Sequence, residues 1–215
     1  MLIKSLIIRY ISKLTSKDSQ MFWANRDKTF AGGEWEESYF NDRSEARRAL
    51  HSILNNLKLK NIFEFGCNSG PNAFYLSKQS LESYVGIDVN IRALELAKLK
   101  LLDKRFDFFD ATKIETNKDF KYENFETFIS LYSLSYLNEE ECTSLLGKFI
   151  KCNVFLIAEP QNSRGYSLIL NRIPEFSHNY VKILDTAFTD SFLHLKMNLD
   201  NHQQNLKSIS LFIRN

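Results

Sequence analysis

The sequence contains few of the residues that break secondary structure or cross-link a chain. Its 215 residues include only 7 glycines, 3 prolines and 3 cysteines. The odd number and the spacing of Cys67, Cys142 and Cys152 exclude the usual Cys-x-x-Cys zinc and dithiol patterns. Free thiols in a reducing compartment are the simplest interpretation. Because glycine is scarce, a stretch with two glycines close together is informative.

A strong net charge and a long apolar segment are also missing. The 28 basic and 26 acidic side chains leave a net charge of +2, so no nucleic-acid partner is expected. Residues 1–14 are apolar at helical spacing, but Arg9 interrupts them and they are too short to span a bilayer. We expect a helix there that packs on the domain or makes a peripheral membrane or partner contact. No signal-peptide pattern follows, which favours a cytoplasmic protein.

Short apolar strands alternate with amphipathic helices from residue 44 onward. Such alternation predicts an α/β fold with a Rossmann-like, doubly wound and mostly parallel sheet. Two later β-like stretches, 192–199 and 208–215, predict an antiparallel C-terminal hairpin and about seven strands in all. We therefore divide the chain into an N-terminal helix and aromatic lid segment, residues 1–43, and an α/β domain, residues 44–215. The predicted strands are 61–65, 84–89, 105–111, 125–133 and 153–160, and the predicted helices are 44–57, 71–81, 91–102 and 139–150.

The glycine-containing stretch IFEFGCNSGPN, residues 62–72, follows the first predicted strand. A dinucleotide fingerprint would need glycine where Asn68 and Pro71 stand, and a P-loop would need a Lys-Ser/Thr pair. An NAD-dependent oxidoreductase is therefore the weakest alternative. Asn68 suits a tight loop, because asparagine is among the few residues that tolerate a left-handed backbone. Pro71 suits the first turn of the helix predicted to follow.

Four motifs on successive predicted strands resemble class I S-adenosylmethionine-dependent methyltransferases. Glu64-x-Gly66-x-Asn68-x-Gly70 matches the first loop of that family, with Asn68 in place of the middle glycine. YVGIDVN, FDFFDAT and FISLYSLSYL match its second, third and fourth strands. The resemblance covers residues 44–160 well and the rest only by its strand pattern.

The resemblance implies S-adenosyl-L-methionine as the cofactor. Asp88 would bind the two ribose hydroxyls, because a carboxylate can accept both hydrogen bonds. Asp110 would accept from the adenine amino group, although it could instead cap a turn through Thr112, as Asp88 could cap the next helix. The predicted cofactor-binding residues are Glu64, Gly66, Cys67, Asn68, Gly70, Asp88, Val89, Asp110, Ala111 and Leu131.

The implied reaction is in-line methyl transfer, which chiefly requires alignment of the acceptor with the methyl group. A general base is needed only for an acceptor that must lose its proton early. Tyr132, Tyr136 and Glu159 are the candidates, although a binding or structural role is the stronger interpretation of each. No metal is predicted, because the acid cluster that would bind magnesium after the fourth strand is missing.

A small or medium acceptor is expected, because the sequence motifs of DNA methyltransferases are absent. A general likeness to bacterial methyltransferases of surface-sugar pathways suggests a sugar or glycan precursor. The aromatic segment 21–40 would form a lid with Gly32-Gly33 as its hinge, or would cover the edge of the sheet. A non-catalytic cofactor-binding or scaffold protein with the same fold is the alternative. The lid aromatics are Trp23, Phe30, Trp35, Tyr39 and Phe40.

Overall fold

The computed structural model describes residues 16–25, 45–160, 178–199 and 207–215. Within these ranges the chain forms α-helices, β-strands and short 3-10 turns. The helices are α1 (Ser16–Ala24), α2 (Glu45–Asn56), α3 (Pro71–Leu76), α4 (Ile91–Lys100), α5 (Glu139–Gly147) and α6 (Tyr180–Ala187). The strands are β1 (Asn61–Phe65), β2 (Ser83–Asp88), β3 (Phe106–Asp110), β4 (Thr127–Leu131), β5 (Val154–Pro160), β6 (Phe192–Leu199) and β7 (Lys207–Arg214).

The strands form one sheet in the order β3-β2-β1-β4-β5-β7-β6. The first five strands are parallel, and β7 pairs antiparallel with both β5 and β6. The chain runs from β1 outward to β2 and β3, then returns to β4 on the other side of β1. This reversal is the topological switch point where open α/β sheets bind ligands. The predicted fold class is confirmed, including the C-terminal hairpin.

The two faces of the sheet carry different cores. Leu50 and Leu54 of α2 pack with residues of α3 and α4 on one face. On the other face, Cys142 and Leu146 of α5 and residues of α6 pack against an aromatic layer. Every residue of β4 is buried, as expected for a strand that is covered on both faces. The helices therefore cover both faces of the sheet, and the carboxyl ends of its strands form a rim.

Two predictions on the helices need correction. The helix predicted over 71–81 ends at Leu76, because the Arg105 guanidinium donates to the carbonyl groups of residues 77, 79 and 81 and holds them in turns. The helix predicted over 139–150 ends at Gly147. Helix α6 was not predicted at all.

Other expectations concern the N-terminal part and the cysteines. The helix predicted over residues 1–14 and most of the predicted lid lie outside the described residues. All three cysteines are free, as expected, and all three are buried. No helix in the described ranges is long and apolar enough to cross a membrane.

Candidate functional site

The loop between β1 and α3 turns sharply at the carboxyl end of β1. Gly66 and Gly70 have φ angles of 73° and 77°, and Asn68 has a φ of 51°. Asn68 thus takes the left-handed backbone expected of it, and its side-chain Oδ1 accepts from the Ser69 N–H at 2.6 Å. The N–H groups of Gly66 and Cys67 both donate to the Ile87 carbonyl at 2.9 Å. These bonds hold the loop over the ends of β1 and β2.

Ser133 explains why residue 66 is glycine. A Cβ built on Gly66 would overlap the Ser133 side chain. The Ser133 Oγ lies 3.5 Å from the Gly66 carbonyl oxygen and 3.3 Å from the Leu131 carbonyl oxygen. Two carbonyl oxygens, one after β1 and one at the end of β4, therefore converge on the Ser133 hydroxyl, which donates to both. Because a carbonyl oxygen has two lone pairs, each can also accept a hydrogen bond from a cationic ligand group.

Asp88 is oriented by backbone N–H groups on both sides. Its Oδ2 accepts from the N–H of Asn68 and its Oδ1 from the N–H of Asn90, each at 2.9 Å. Burial raises the pKa of Asp88, and bonds from Asn90, Asn68 and Val89 oppose the shift. The cap of α4 is Asn90, whose Oδ1 accepts from the Ala93 N–H at 3.0 Å, so Asp88 does not cap that helix. Each carboxylate oxygen keeps acceptor capacity for a ligand hydroxyl.

Asp110 lies beside Asp88 on the neighbouring strand. Its Oδ1 accepts from the N–H and the hydroxyl of Thr112, and its Oδ2 lies 3.3 Å from Lys113 Nζ. Burial alone would raise the pKa of Asp110, but these bonds outweigh it and leave the pKa below its usual value. Asp110 therefore caps a turn. Its contact with adenine stays a prediction, as does that of Ala111, whose N–H donates to the Asp88 carbonyl at 2.9 Å.

The candidate bases lie around the ends of β4 and β5. Tyr132 follows β4 with a φ of 62°, an unusual value for a non-glycine residue, and its N–H donates to the Ala158 carbonyl at 2.8 Å. Tyr136 is half-buried in the turn that follows. The backbone of Glu159 pairs with Ser208 of β7. Within the described residues, no cluster of three His, Cys, Asp or Glu side chains could hold a metal ion.

Solved structures that this chain resembles in fold include the magnesium protoporphyrin IX methyltransferase ChlM from Synechocystis PCC 6803, with bound S-adenosylhomocysteine. It is 11% identical, with 93% of this chain and 99% of that chain covered and a TM-score of 0.65. The N-methyltransferase NodS from Bradyrhizobium japonicum WM9, in complex with S-adenosylhomocysteine, is 14% identical. The match covers 94% of this chain and 98% of that one, with a TM-score of 0.63. The chain has the class I methyltransferase fold.

This methyltransferase fold also occurs in a protein named for another reaction. The cyclase SpnF is 13% identical, with 80% of this chain and 85% of that chain covered and a TM-score of 0.58. No protein-family model matches the chain, and no curated protein matches it significantly. At these identities the comparisons establish the methyltransferase fold alone.

Glu64, the acid of the first methyltransferase motif, points into the protein. It is 2% exposed. Its Oε1 accepts from Asn72 Nδ2 at 2.7 Å, and its Oε2 accepts from the Tyr84 hydroxyl at 2.5 Å. Asn72 Oδ1 in turn accepts from Arg47 Nη1 at 2.7 Å and lies 3.0 Å from His51 Nε2. A direct contact between Glu64 and a cofactor stays a prediction.

Cys67 packs against the second strand of the methyltransferase fold. A Cβ on Gly86 would lie 2.7 Å from the Cys67 Sγ, so the glycine makes room for the thiol. Burial raises the pKa of Cys67 well above its usual value, and the charges of Asp88 and Glu64 add to the shift. A buried, protonated thiol is a poor nucleophile. Its position is that of a packing residue in the loop.

Helix α1 lies at the carboxyl rim of the methyltransferase fold. The Trp23 carbonyl accepts from Asn90 Nδ2 at 2.8 Å, and the Trp23 ring centroid lies 5.5 Å from that of Tyr136. Asn90 follows β2 and Tyr136 follows β4, so α1 bridges the two loops that flank the switch point. Among the predicted lid aromatics, Trp23 is the one that falls within the described residues.

Three residues of this site were not predicted from the sequence. Arg47 and Asn72 are buried polar residues on otherwise apolar helix faces, and such groups need partners. Their sequence signal is therefore a polar residue at a core position of a helix. Ser133 carries no comparable signal, because a serine after a strand is ordinary.

Proposed function

We propose that the protein is an S-adenosylmethionine-dependent methyltransferase that acts on a small or medium acceptor. One observation carries this proposal. The Asn68 N–H, in a loop whose glycines have a left-handed backbone, donates to Asp88 at the switch point of a methyltransferase fold. This bond joins the glycine loop to Asp88, and the family resemblance assigns both to the binding of one cofactor. The structures of ChlM and NodS, which contain S-adenosylhomocysteine, support the same cofactor.

The residues at the rim fit this cofactor chemically. Asp88 would accept from the ribose hydroxyls, and the convergent carbonyls of Gly66 and Leu131 would accept from the ammonium of the methionine part. Asp110 and Ala111 would lie beside the adenine. When bound, the cofactor supplies a methyl group on a positively charged sulfur, ready for in-line transfer.

The remaining residues would hold and shield the acceptor. Trp23 and Tyr136 offer neighbouring aromatic rings at the rim, which can stack on an acceptor and exclude water. Such rings suit a sugar or glycan precursor, the acceptor class that we propose from the sequence. Tyr132, Tyr136 and Glu159 remain the candidates for a general base. Residues 1–14 are proposed as a peripheral membrane or partner contact, and the free cysteines favour the cytoplasm.

A non-catalytic cofactor-binding or scaffold protein is the second candidate. Asn68 replaces a glycine of the motif, and SpnF is an example of this fold in a protein named for another reaction. This candidate predicts binding of S-adenosylmethionine without turnover.

Calorimetric titration with S-adenosylmethionine and S-adenosylhomocysteine tests the proposal. We expect wild type to bind both, and Asp88→Ala to weaken binding at least about tenfold, because it removes charge-assisted hydrogen bonds of about 1.5–3 kcal/mol each. Asp107→Ala, the same change at an exposed position of β3, should bind as wild type does. If wild type binds neither compound, the proposal is wrong.

Turnover separates the two candidates. Wild type would be incubated with S-adenosylmethionine and a panel of sugars, nucleotide sugars and lipid-linked glycan precursors, and formation of S-adenosylhomocysteine would be measured. Product formation with any acceptor supports the methyltransferase. Tight cofactor binding without product across the panel favours the scaffold protein.

A further inference from the structure

The first motif of the methyltransferase fold contains an acid that protein groups enclose in this chain. Glu64 is almost fully buried, and each of its carboxylate oxygens already accepts a hydrogen bond from a protein group. An acid so enclosed can still act at a distance through its charge, because a protein interior screens charge less than water does.

We propose that Glu64 acts on the cofactor through its negative charge rather than by contact, and that Arg47 limits this effect. Together they would set the preference of the site for cationic S-adenosylmethionine over its neutral thioether product. The inference rests on the proposed function and concerns the release of product from the same site.

The hydrogen-bond directions fix how the two charges are linked. A guanidinium group can only donate, so Arg47 must face the Oδ1 of Asn72. The Nδ2 of Asn72 then has to face Glu64, where it donates at 2.7 Å. Asn72 is fully buried and Arg47 is 5% exposed, so solvent cannot replace these bonds. One amide group thus lies between a buried cation and a buried anion.

The balance of charge around the loop favours a cationic ligand. Burial raises the pKa of Glu64, while the bonds from Tyr84 and Asn72 and the charge of Arg47 oppose the shift. The charge of Asp88 raises the same pKa further, so the two carboxylates repel each other under the loop. A cation bound above them relieves this repulsion, and a neutral thioether does not. The positive charge of Arg47 already relieves part of this repulsion, so it reduces the preference of the site for S-adenosylmethionine.

The measurement is the ratio of the Kd for S-adenosylhomocysteine to the Kd for S-adenosylmethionine, by calorimetry at pH 8 and low salt. Glu64→Gln removes the negative charge with little change of shape and should lower the ratio about fourfold. That factor is the effect of one unit charge at about 10 Å in a medium with an effective dielectric constant of roughly 40. Arg47→Met removes the positive charge and should raise the ratio by a similar factor.

The opposite signs of the two expected shifts in the Kd ratio distinguish a charge effect from structural damage. Arg47→Lys keeps both charges, so it should keep the wild-type ratio even if both affinities fall. Leu54 is a buried residue of the same helix as Arg47. Leu54→Ala should therefore lower the stability of the protein and leave the ratio unchanged.

Two results would overturn the inference: an unchanged ratio in Glu64→Gln, or shifts of the same sign in Glu64→Gln and Arg47→Met. If Arg47→Met does not fold, Glu64→Gln alone still decides. A failure of wild type to bind either compound would instead count against the proposed function.

Discussion

The contact between Gly66 and Ser133 allows a sharp test of the site geometry. Gly66→Ala forces alanine into a φ of 73°, a left-handed conformation that costs about 1–2 kcal/mol for a residue with a Cβ. The new methyl group would also overlap the Ser133 side chain, and overpacking costs about 1–3 kcal/mol. The expected loss is therefore about 2–5 kcal/mol, a large part of the stability of a typical domain.

Urea unfolding of three matched Gly→Ala variants measures these two contributions separately. Gly70 has a similar φ of 77°, but the nearest atom to its Cβ would be the Ala97 Cβ at 3.1 Å, so Gly70→Ala carries the backbone cost and less of the steric cost. Gly147 lies in helix α5, and its nearest contact would be at 3.8 Å. Gly147→Ala should stabilise by about 0.5–1 kcal/mol, because alanine is the better helix former. We expect the largest loss at Gly66 and a gain at Gly147.

A double variant tests the steric part directly. Ser133→Gly in the Gly66→Ala background removes the side chain that the new methyl group would meet. It should restore about 1–3 kcal/mol and leave the backbone cost. If Ser133→Gly restores nothing, or if Gly66→Ala and Gly147→Ala have the same stability, the reasoning about this contact is refuted.

Three further predictions concern other parts of the fold. Phe149 is fully buried, with its ring 4.7 Å from that of Phe63, so Phe149→Ala should cost about 3–5 kcal/mol in urea unfolding without changing cofactor affinity. Asn138 forms a capping box with Glu141, and Asn138→Ala should cost about 1 kcal/mol, while an equal stability would show that the cap is not formed. Burial lowers the pKa of His178, and the carbonyls of residues 134 and 137 only partly oppose this. The imidazole of the unfolded chain then binds a proton at a higher pH than that of the folded chain. The free energy of unfolding of wild type should therefore fall relative to that of His178→Gln as the pH falls from about 7 to 5. Parallel pH profiles of the two proteins would contradict this.

Local sequence patterns predicted the strands and the loop well, because those features depend on neighbouring residues. The left-handed conformation at Asn68 followed from its match to the middle glycine of the family motif. The position of Asp88 beside the loop followed from the length of one βα unit. Both are properties of a short stretch of chain.

The missed features depend on residues far apart in the sequence. Helix α3 ends early because Arg105, about thirty positions later, binds the carbonyls beyond it. The inward direction of Glu64 depends on Arg47 and Asn72, which lie on two different helices. No local pattern in the sequence reports such partners, so the buried network around Glu64 was not predicted.

The position of β7 has a consequence for how the chain folds during synthesis. This strand follows both of its neighbours in the sequence, yet it lies between them in the sheet. Until the ribosome has made Lys207–Arg214, β5 presents an open edge and β6 has no neighbour in the described sheet. Open edges of this kind pair readily with strands of other chains. A released chain that ends before Lys207 should therefore be a stronger target for chaperones and for aggregation than one that includes β7.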